Sequence, residues 1–260
     1  MKISILVQLS ILTLLSFLPT AQADISSAEE AQKLIDSISQ QIAKNRQNAE
    51  LYIKRGDLYF LTHDFDNAVD DYSLAIKLAP SLDAAWYGRG MAQGRRGYIK
   101  EGIADLSVYL KKNPMDSKAF TKRGVRYLWN GEKENALQDL RKAIELNPNN
   151  AEAHDDLGVV FAQMGNYKQA IKHFRTTVSI EPSYQKGHHN LAMALYITEN
   201  DIMALNSVNK SLQLKPESRD SMILKSRILV AMGQHVEAKR IENEAEFLPA
   251  PNWHESAPIK

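Results

Sequence analysis

The sequence predicts an all-α fold, an array of stacked helical hairpins, and three observations predict it. Five of the nine prolines, Pro80, Pro114, Pro148, Pro182 and Pro216, recur at a spacing of 34 residues. Columns of small and large residues repeat in register with those prolines. A one-sided apolar stretch, Ser26 to Asn45, precedes the first repeat and has the period of a single helix. A fixed period of this length is the signature of a repeat architecture, in which one unit cannot bury its apolar face alone and stacking creates the core.

The elements follow in chain order. Lys2 is the only charge in the first 23 residues, an apolar run extends from Ile3 to Leu18, Pro19 breaks it, and Ala21-Gln22-Ala23 places small residues before a scission point. That layout predicts a secretory leader over residues 1–23, cleaved after Ala23, and no stable membrane insertion afterwards. Residues 24–48 are expected to form a capping helix, with Ala31, Leu34, Ile35, Ile38 and Ile42 on one face and Ser27 followed by Glu30 as a capping-box start. The array proper is expected over residues 49–251. Its units begin at Ala49, Asp83, Ser117, Ala151 and Gln185, and a degenerate sixth begins at Arg219. Residues 252–260 read as a loose tail, with Trp253 free to fold back onto the last helix.

With each proline set at position 32 of its unit, the columns acquire physical reasons. Position 4 holds Tyr52, Trp86, Phe120, His154 and His188; position 8 holds Gly56, Gly90, Gly124, Gly158 and Ala192. Position 20 holds Ala68, Gly102, Ala136, Ala170 and Ala204; position 24 holds Tyr72, Leu106, Leu140, Phe174 and Val208. Small residues at 8 and 20 let two helices of one hairpin approach, and large residues at 4 and 24 fill the space around them. Gly97, Gly131, Gly165 and Gly233 mark the turn inside four units, and Pro at 32 stops the second helix. This pattern resembles the tetratricopeptide repeat family, which implies a right-handed α-solenoid whose first helices line an inner groove.

Composition excludes several chemistries. The chain has no cysteine, so it has no disulfide, thiolate nucleophile or Cys-ligated metal. Basic and acidic residues number 32 and 31, too balanced for the phosphate-driven affinity of a nucleic-acid binder. No metalloprotease, hydrolase, phosphate-loop or EF-hand motif is present, and the reading is of a non-enzyme without cofactor or metal. His154, His188 and His189 form the one tempting cluster, with His154 and His188 expected to be neighbours; two sit in the aromatic column and are read as core aromatics. Asp155 and Asp156 are read as a solvated face.

Two irregularities stand out. Position 7 is Arg55, Arg89 and Arg123 and then Leu157 and Leu191, while position 23 is Asp71, Asp105 and Asp139 and then His173 and Ser207. The Arg and Asp appear and vanish together, which predicts a bidentate pair across the two helices of each unit. The second unit carries Tyr109 in a small-residue column, with Gln93 and Gly102 in large and small ones, which reads as a volume exchange in the core.

The resemblance places positions 2, 5, 9, 12 and 13 on the groove. These are Tyr87, Met91 and Arg95 in the second unit, and Lys118, Thr121, Val125 and Trp129 in the third. The fourth gives Glu152, Asp155 and Val159, and the fifth Lys186, His189, Met193 and Tyr196. Tyr87, Met91, Trp129, Met193 and Tyr196 suit an apolar anchor. Lys118, Glu152 and Lys186 alternate in sign at position 2. Of the carboxylate-binding set known in some relatives only Lys118 and Lys122 match, while Ile53, Asp57 and Gly88 depart from it. The expectation is an exported interaction module, periplasmic or alternatively secreted or surface-bound, that holds a protein or peptide segment as adaptor or assembly factor. A self-associating envelope scaffold is the alternative.

Overall fold

A computed structural model describes residues 27–249. The leader, Pro251, Trp253 and the tail lie outside the described residues. Among these residues there are thirteen helices and no strand. The first, α1, is Ala28–Lys44. Six hairpins follow. Their first helices are α2 Ala49–Leu61, α4 Asp83–Arg95, α6 Ser117–Trp129, α8 Ala151–Gln163, α10 Gln185–Ile197 and α12 Arg219–Ala231. Their second helices are α3 Phe65–Leu78, α5 Ile99–Lys112, α7 Lys133–Leu146, α9 Tyr167–Ile180, α11 Asp201–Leu214 and α13 His235–Glu246.

Local chemistry sets these boundaries. Asn48, Asp64, Asp116, Asn150 and Asn166 each accept a first-turn N–H into the side chain, and Ser27 does so for Glu30 in α1. Inside each hairpin the fifteenth residue turns the chain with positive φ. It is Gly97, Gly131, Gly165 and Gly233 in four units, at +76° to +87°. In the other two it is His63 at 62° and Glu199 at 59°, residues that pay for the left-handed conformation with side-chain strain.

The small-over-large columns meet as the sequence implies. A Cβ on Gly124 would come within 2.9 Å of Leu140, and one on Gly158 within 2.5 Å of the Phe174 ring. Ala192 stands where the facing column has shrunk to Val208, and both are fully buried. On α1, Ala31, Ile35 and Ile42 are buried and Ile38 packs partly against the same core, whereas Leu34 sits at the edge of the stripe and is exposed. That helix touches only α2, so it closes the array at one end.

Successive first helices approach backbone to backbone along the whole array, while successive second helices stand farther apart and meet through side chains such as Arg175 and Met203. The stack therefore bends with α2, α4, α6, α8, α10 and α12 on its inner side. No helix among the described residues is long and apolar enough to cross a membrane.

Candidate functional site

The inner side carries an apolar sector and a polar sector. In the apolar sector Tyr87, Met91, Val125, Val159, Met193 and Tyr196 are half-buried, and Trp129, the last residue of α6, is 52% exposed. Tyr87 lies on Tyr109, with ring centroids 5.0 Å apart, and Tyr109 donates its hydroxyl to Asp116 at 2.8 Å. Burial, with Asp116 adding to it and Arg126 opposing, pushes the Tyr87 phenol up to about 12. Arg95 is half-buried beside this sector.

The space around the second unit has another owner. Arg126, on α6, is 3% exposed, and its guanidinium enters the glycine-rich α4–α5 hairpin. It donates to the carbonyls of Gly90 and Met91 at 3.2 Å each and to that of Lys122 at 2.7 Å. Met91 Sδ lies 3.3 Å away. Burial lowers this arginine to about 10. The shrunken columns of the second unit are thus filled from the third, by a charged side chain rather than by an exchange of apolar volume within the unit.

The polar sector joins α6, α8 and α10. Lys122 donates to both carboxylate oxygens of Glu152, at 2.5 and 2.8 Å. Lys186 reaches Asp155 at 3.1 Å and Asp156 at 3.4 Å, and Asn190 donates to both oxygens of Asp155 at 2.9 and 3.1 Å. Asp155 is wholly buried and Asp156 nearly so. The expectation of a solvated acidic face is therefore corrected: α10 covers both carboxylates with Lys186 and Asn190. Burial pushes the Asp156 carboxyl up to about 7, with Lys186 opposing and Asp155 and Glu152 adding. For Lys186, burial lowers the ammonium, but Asp156 and Asp155 outweigh it and the net direction is up.

Three other expectations need correction. The position-2 row does not act as a row. Glu152 and Lys186 each pair with position 6 of the preceding unit, while Lys118 stands exposed and makes no ion pair among the described residues. Thr121 is wholly buried; it donates to Ser117 O at 2.9 Å and accepts from Asn150 Nδ2 at 3.0 Å, so it braces α6 against α8. His154 pairs not with His188 but with His173 of its own unit, Nδ1 to Nδ1 at 3.1 Å. His189 is half-buried, with Nδ1 3.0 Å from Ser221 Oγ.

The histidines also explain the aromatic column. Trp86 Nε1 donates to Pro80 O at 3.0 Å, and the Nε2 atoms of His154 and His188 lie 3.2 and 3.0 Å from Pro148 O and Pro182 O. In three units a flat ring with a ring nitrogen ties the first helix to the carbonyl of the proline before it, a bond Phe120 cannot make. Tyr52 makes the same six-residue reach, to Arg46 O at 3.2 Å. No group of three or more His, Asp or Glu among the described residues is arranged to hold a metal ion.

Away from the groove, the Arg–Asp ladder is present in three units. Arg55–Asp71, Arg89–Asp105 and Arg123–Asp139 each make two N–H···O bonds of 2.7–2.8 Å. The third guanidinium nitrogen binds a serine of the preceding helix, Ser39, Ser73 or Ser107, at 2.9–3.2 Å. Helix α1 thus gives the first unit the serine that α3 and α5 give the next two. The arginines lie over rings of positions 4 and 11, as Arg123 does over Phe120 and Tyr127 at 5.7 and 5.6 Å.

Profiles of the tetratricopeptide repeat match residues 49–82 and 151–184, and a profile described as TPR repeat matches residues 124–165. No curated protein sequence matches the chain. Among solved structures, YrrB, described as a TPR protein with an unusual peptide-binding site, aligns with TM-score 0.56 and 23% identity over 72% of this chain and 97% of its own. A tetratricopeptide repeat protein from Parabacteroides merdae aligns with TM-score 0.70 and 18% identity, over 85% and 88% of the two chains. PilF of Pseudomonas aeruginosa aligns with TM-score 0.67 and 17% identity, over 83% and 92%. At these identities the likeness is one of fold.

Proposed function

The chain belongs to the tetratricopeptide repeat family, and from that premise we propose that it is a protein-interaction module whose inner surface, from α4 to α10, holds an extended or helical peptide segment. The observation that carries this reading is Trp129. A large aromatic, half in solvent, stands one helical turn beyond half-buried Val125 on α6, on the side toward which the array bends and to which Tyr87 and Met91 of α4 also belong. A Trp in that position gives contact area to a partner at little entropic cost. YrrB, described as peptide-binding, supports the class of ligand. The leader read from residues 1–23 supports export, with the periplasm as the compartment and an adaptor or assembly role as the use. The protein is read as a binding protein rather than an enzyme.

The polar sector supplies orientation more than attraction, because Glu152, Asp155 and Asp156 already have lysine partners within the chain. Lys118 is the exposed cation beside the apolar sector and is the group that would meet a peptide acid or terminal carboxylate. The test is affinity capture from envelope extract with the partner identified by mass. The same capture is repeated with Trp129→Ala combined with Lys118→Glu. Loss of the partner with helicity unchanged supports the groove, and retention of the partner by the double variant overturns it.

A further inference from the structure

The Arg–Asp ladder stops at the fourth unit, and an open crevice of about 370 Å³ stands where it stops. It lies between α7, α8 and α9 and is lined by Arg141, Ile144, Leu157, Phe161, Gln169 and His173 among others. In the first three units the equivalent space holds a position-7 guanidinium, a position-23 carboxylate and a serine from the preceding helix. In the fourth, Leu157 replaces the arginine, His173 replaces the aspartate, and Arg141 stands where the serine would be. The cation has moved to the rim and the carboxylate is gone.

What remains is an incomplete set. Leu157, Ile144 and Phe161 give an apolar wall, and His173 stacks on Phe161 with centroids 5.5 Å apart. Arg141 is exposed at the rim and has no ion pair among the described residues. His173 cannot supply the missing anion, since an imidazole is neutral or cationic; burial, the neighbouring His154 and the charges of Lys172 and Arg141 lower it to about 4, so it stands as a neutral ring. The fifth unit shows the contrast. There Leu191 and Ser207 also replace the pair, but the corresponding cation, Arg175, lies 3.7 Å from Met203 Sδ.

We propose that this crevice is a second interaction site, which takes an acidic side chain of a partner protein together with an adjoining apolar residue. The partner carboxylate would give Arg141 a counter-ion, as Asp71, Asp105 and Asp139 do for Arg55, Arg89 and Arg123 inside the other units. Its volume is that of a small-ligand pocket, enough for one large side chain and a carboxylate. At 3.6 residues per turn, positions 7 and 11 lie on the opposite side of α8 from positions 2, 5 and 9. The site therefore faces away from the groove and can be filled while the groove is occupied.

The test is an NMR titration of the full chain with the blocked dipeptide acetyl-Phe-Glu-amide against its neutral counterpart acetyl-Phe-Gln-amide. The acidic probe is expected to move the amide signals of Leu157, Phe161 and Gln169 saturably, with a dissociation constant on the order of 1 mM. The neutral probe, and Arg141→Gln with the acidic probe, are expected to bind at least about tenfold more weakly. Combining Leu157→Arg with His173→Asp rebuilds the internal pair, fills the crevice and should abolish the response. Equal response to both probes, binding indifferent to Arg141→Gln, shifts confined to Trp129 and Met193, or no shifts at all would each overturn the proposal. If the filled variant does not fold, the exposed Arg141→Gln substitution decides alone. Since the groove test reads Trp129 and this one reads Arg141, either proposal can fail without the other.

Discussion

The guanidinium of Arg126 occupies the space that a β-carbon on Gly94 would fill, with Nε only 2.5 Å from that point. Gly102 makes the same allowance from α5, at 3.2 Å. A buried arginine with no carboxylate partner is tolerated because each of its nitrogens finds a backbone carbonyl, with the Met91 sulfur as a further acceptor. Gly94→Ala is expected to lower stability by about 2 kcal/mol through overpacking. The cost should shrink when Arg126→Met is made as well, since a flexible apolar chain can yield. Urea unfolding midpoints of the four proteins check this; an undiminished cost in the double variant would show that Gly94 serves something other than Arg126.

The ladder pairs should be energetically real. Arg123 and Asp139 are mostly buried, at 18% and 8% side-chain exposure, and joined by two short hydrogen bonds. For Arg123 burial works against the charge, but the bond and charge of Asp139 outweigh it and raise its pKa. A double-mutant cycle with Arg123→Leu and Asp139→Leu is expected to give a coupling of at least about 1 kcal/mol. The exposed pair Lys142–Glu145 should give no more than about 0.5 kcal/mol in the same experiment.

Two hairpin turns carry strain that four avoid. Glu199 and His63 adopt φ near +60° where glycine stands in the other units. Glu199→Gly is expected to raise stability by about 1 kcal/mol, and His63→Gly similarly. Thermal melts of the single variants measure it, with Gly131→Ala as the opposite control, expected to fall.

Asp156 gives the protein a pH dependence of known sign. Its folded carboxyl titrates at about 7 against 3.8 for the free group. Between those values the folded chain holds a proton that the unfolded chain lacks. The contribution of this group therefore favours folding on the acid side and is lost as pH rises through about 7. Lys186, Asp155, Glu152 and Tyr184 are the groups that face it. Asp156→Asn is expected to stabilise the chain at pH 8, by on the order of 1 kcal/mol or more, and to do little at about pH 3.8. Denaturant titrations at the two pH values check the difference.

The period of 34 made the helices and their turns legible, because proline, glycine and the small–large columns act locally on the backbone. The Arg–Asp ladder was legible for the same reason: both partners sit in one unit at a fixed separation of 16 residues. Contacts between units were harder to read. Arg126 reaches 36 residues back to Gly90, and its sign in the sequence is the pair of glycines that make room for it one unit earlier, Gly94 and Gly102. Asp155 and Asp156 looked exposed because adjacent helical residues diverge. Burial came from the next hairpin, and the available sign was a lysine 30 residues on, at Lys186. His154 found its partner 19 residues away on the second helix, at the position the ladder had vacated.

The inner helices form an unbroken row of close backbone approaches and the outer helices stand farther apart. Such an assembly behaves like a spine with separate leaves. Each outer helix is packed on the inner helices before and after it, so a change of curvature would alter the spacing between outer helices more than the spacing within the inner row. A partner seated on the inner side would therefore meet a surface whose pitch yields while its row of side chains stays in sequence, so that grip and compliance reside in different halves of each hairpin.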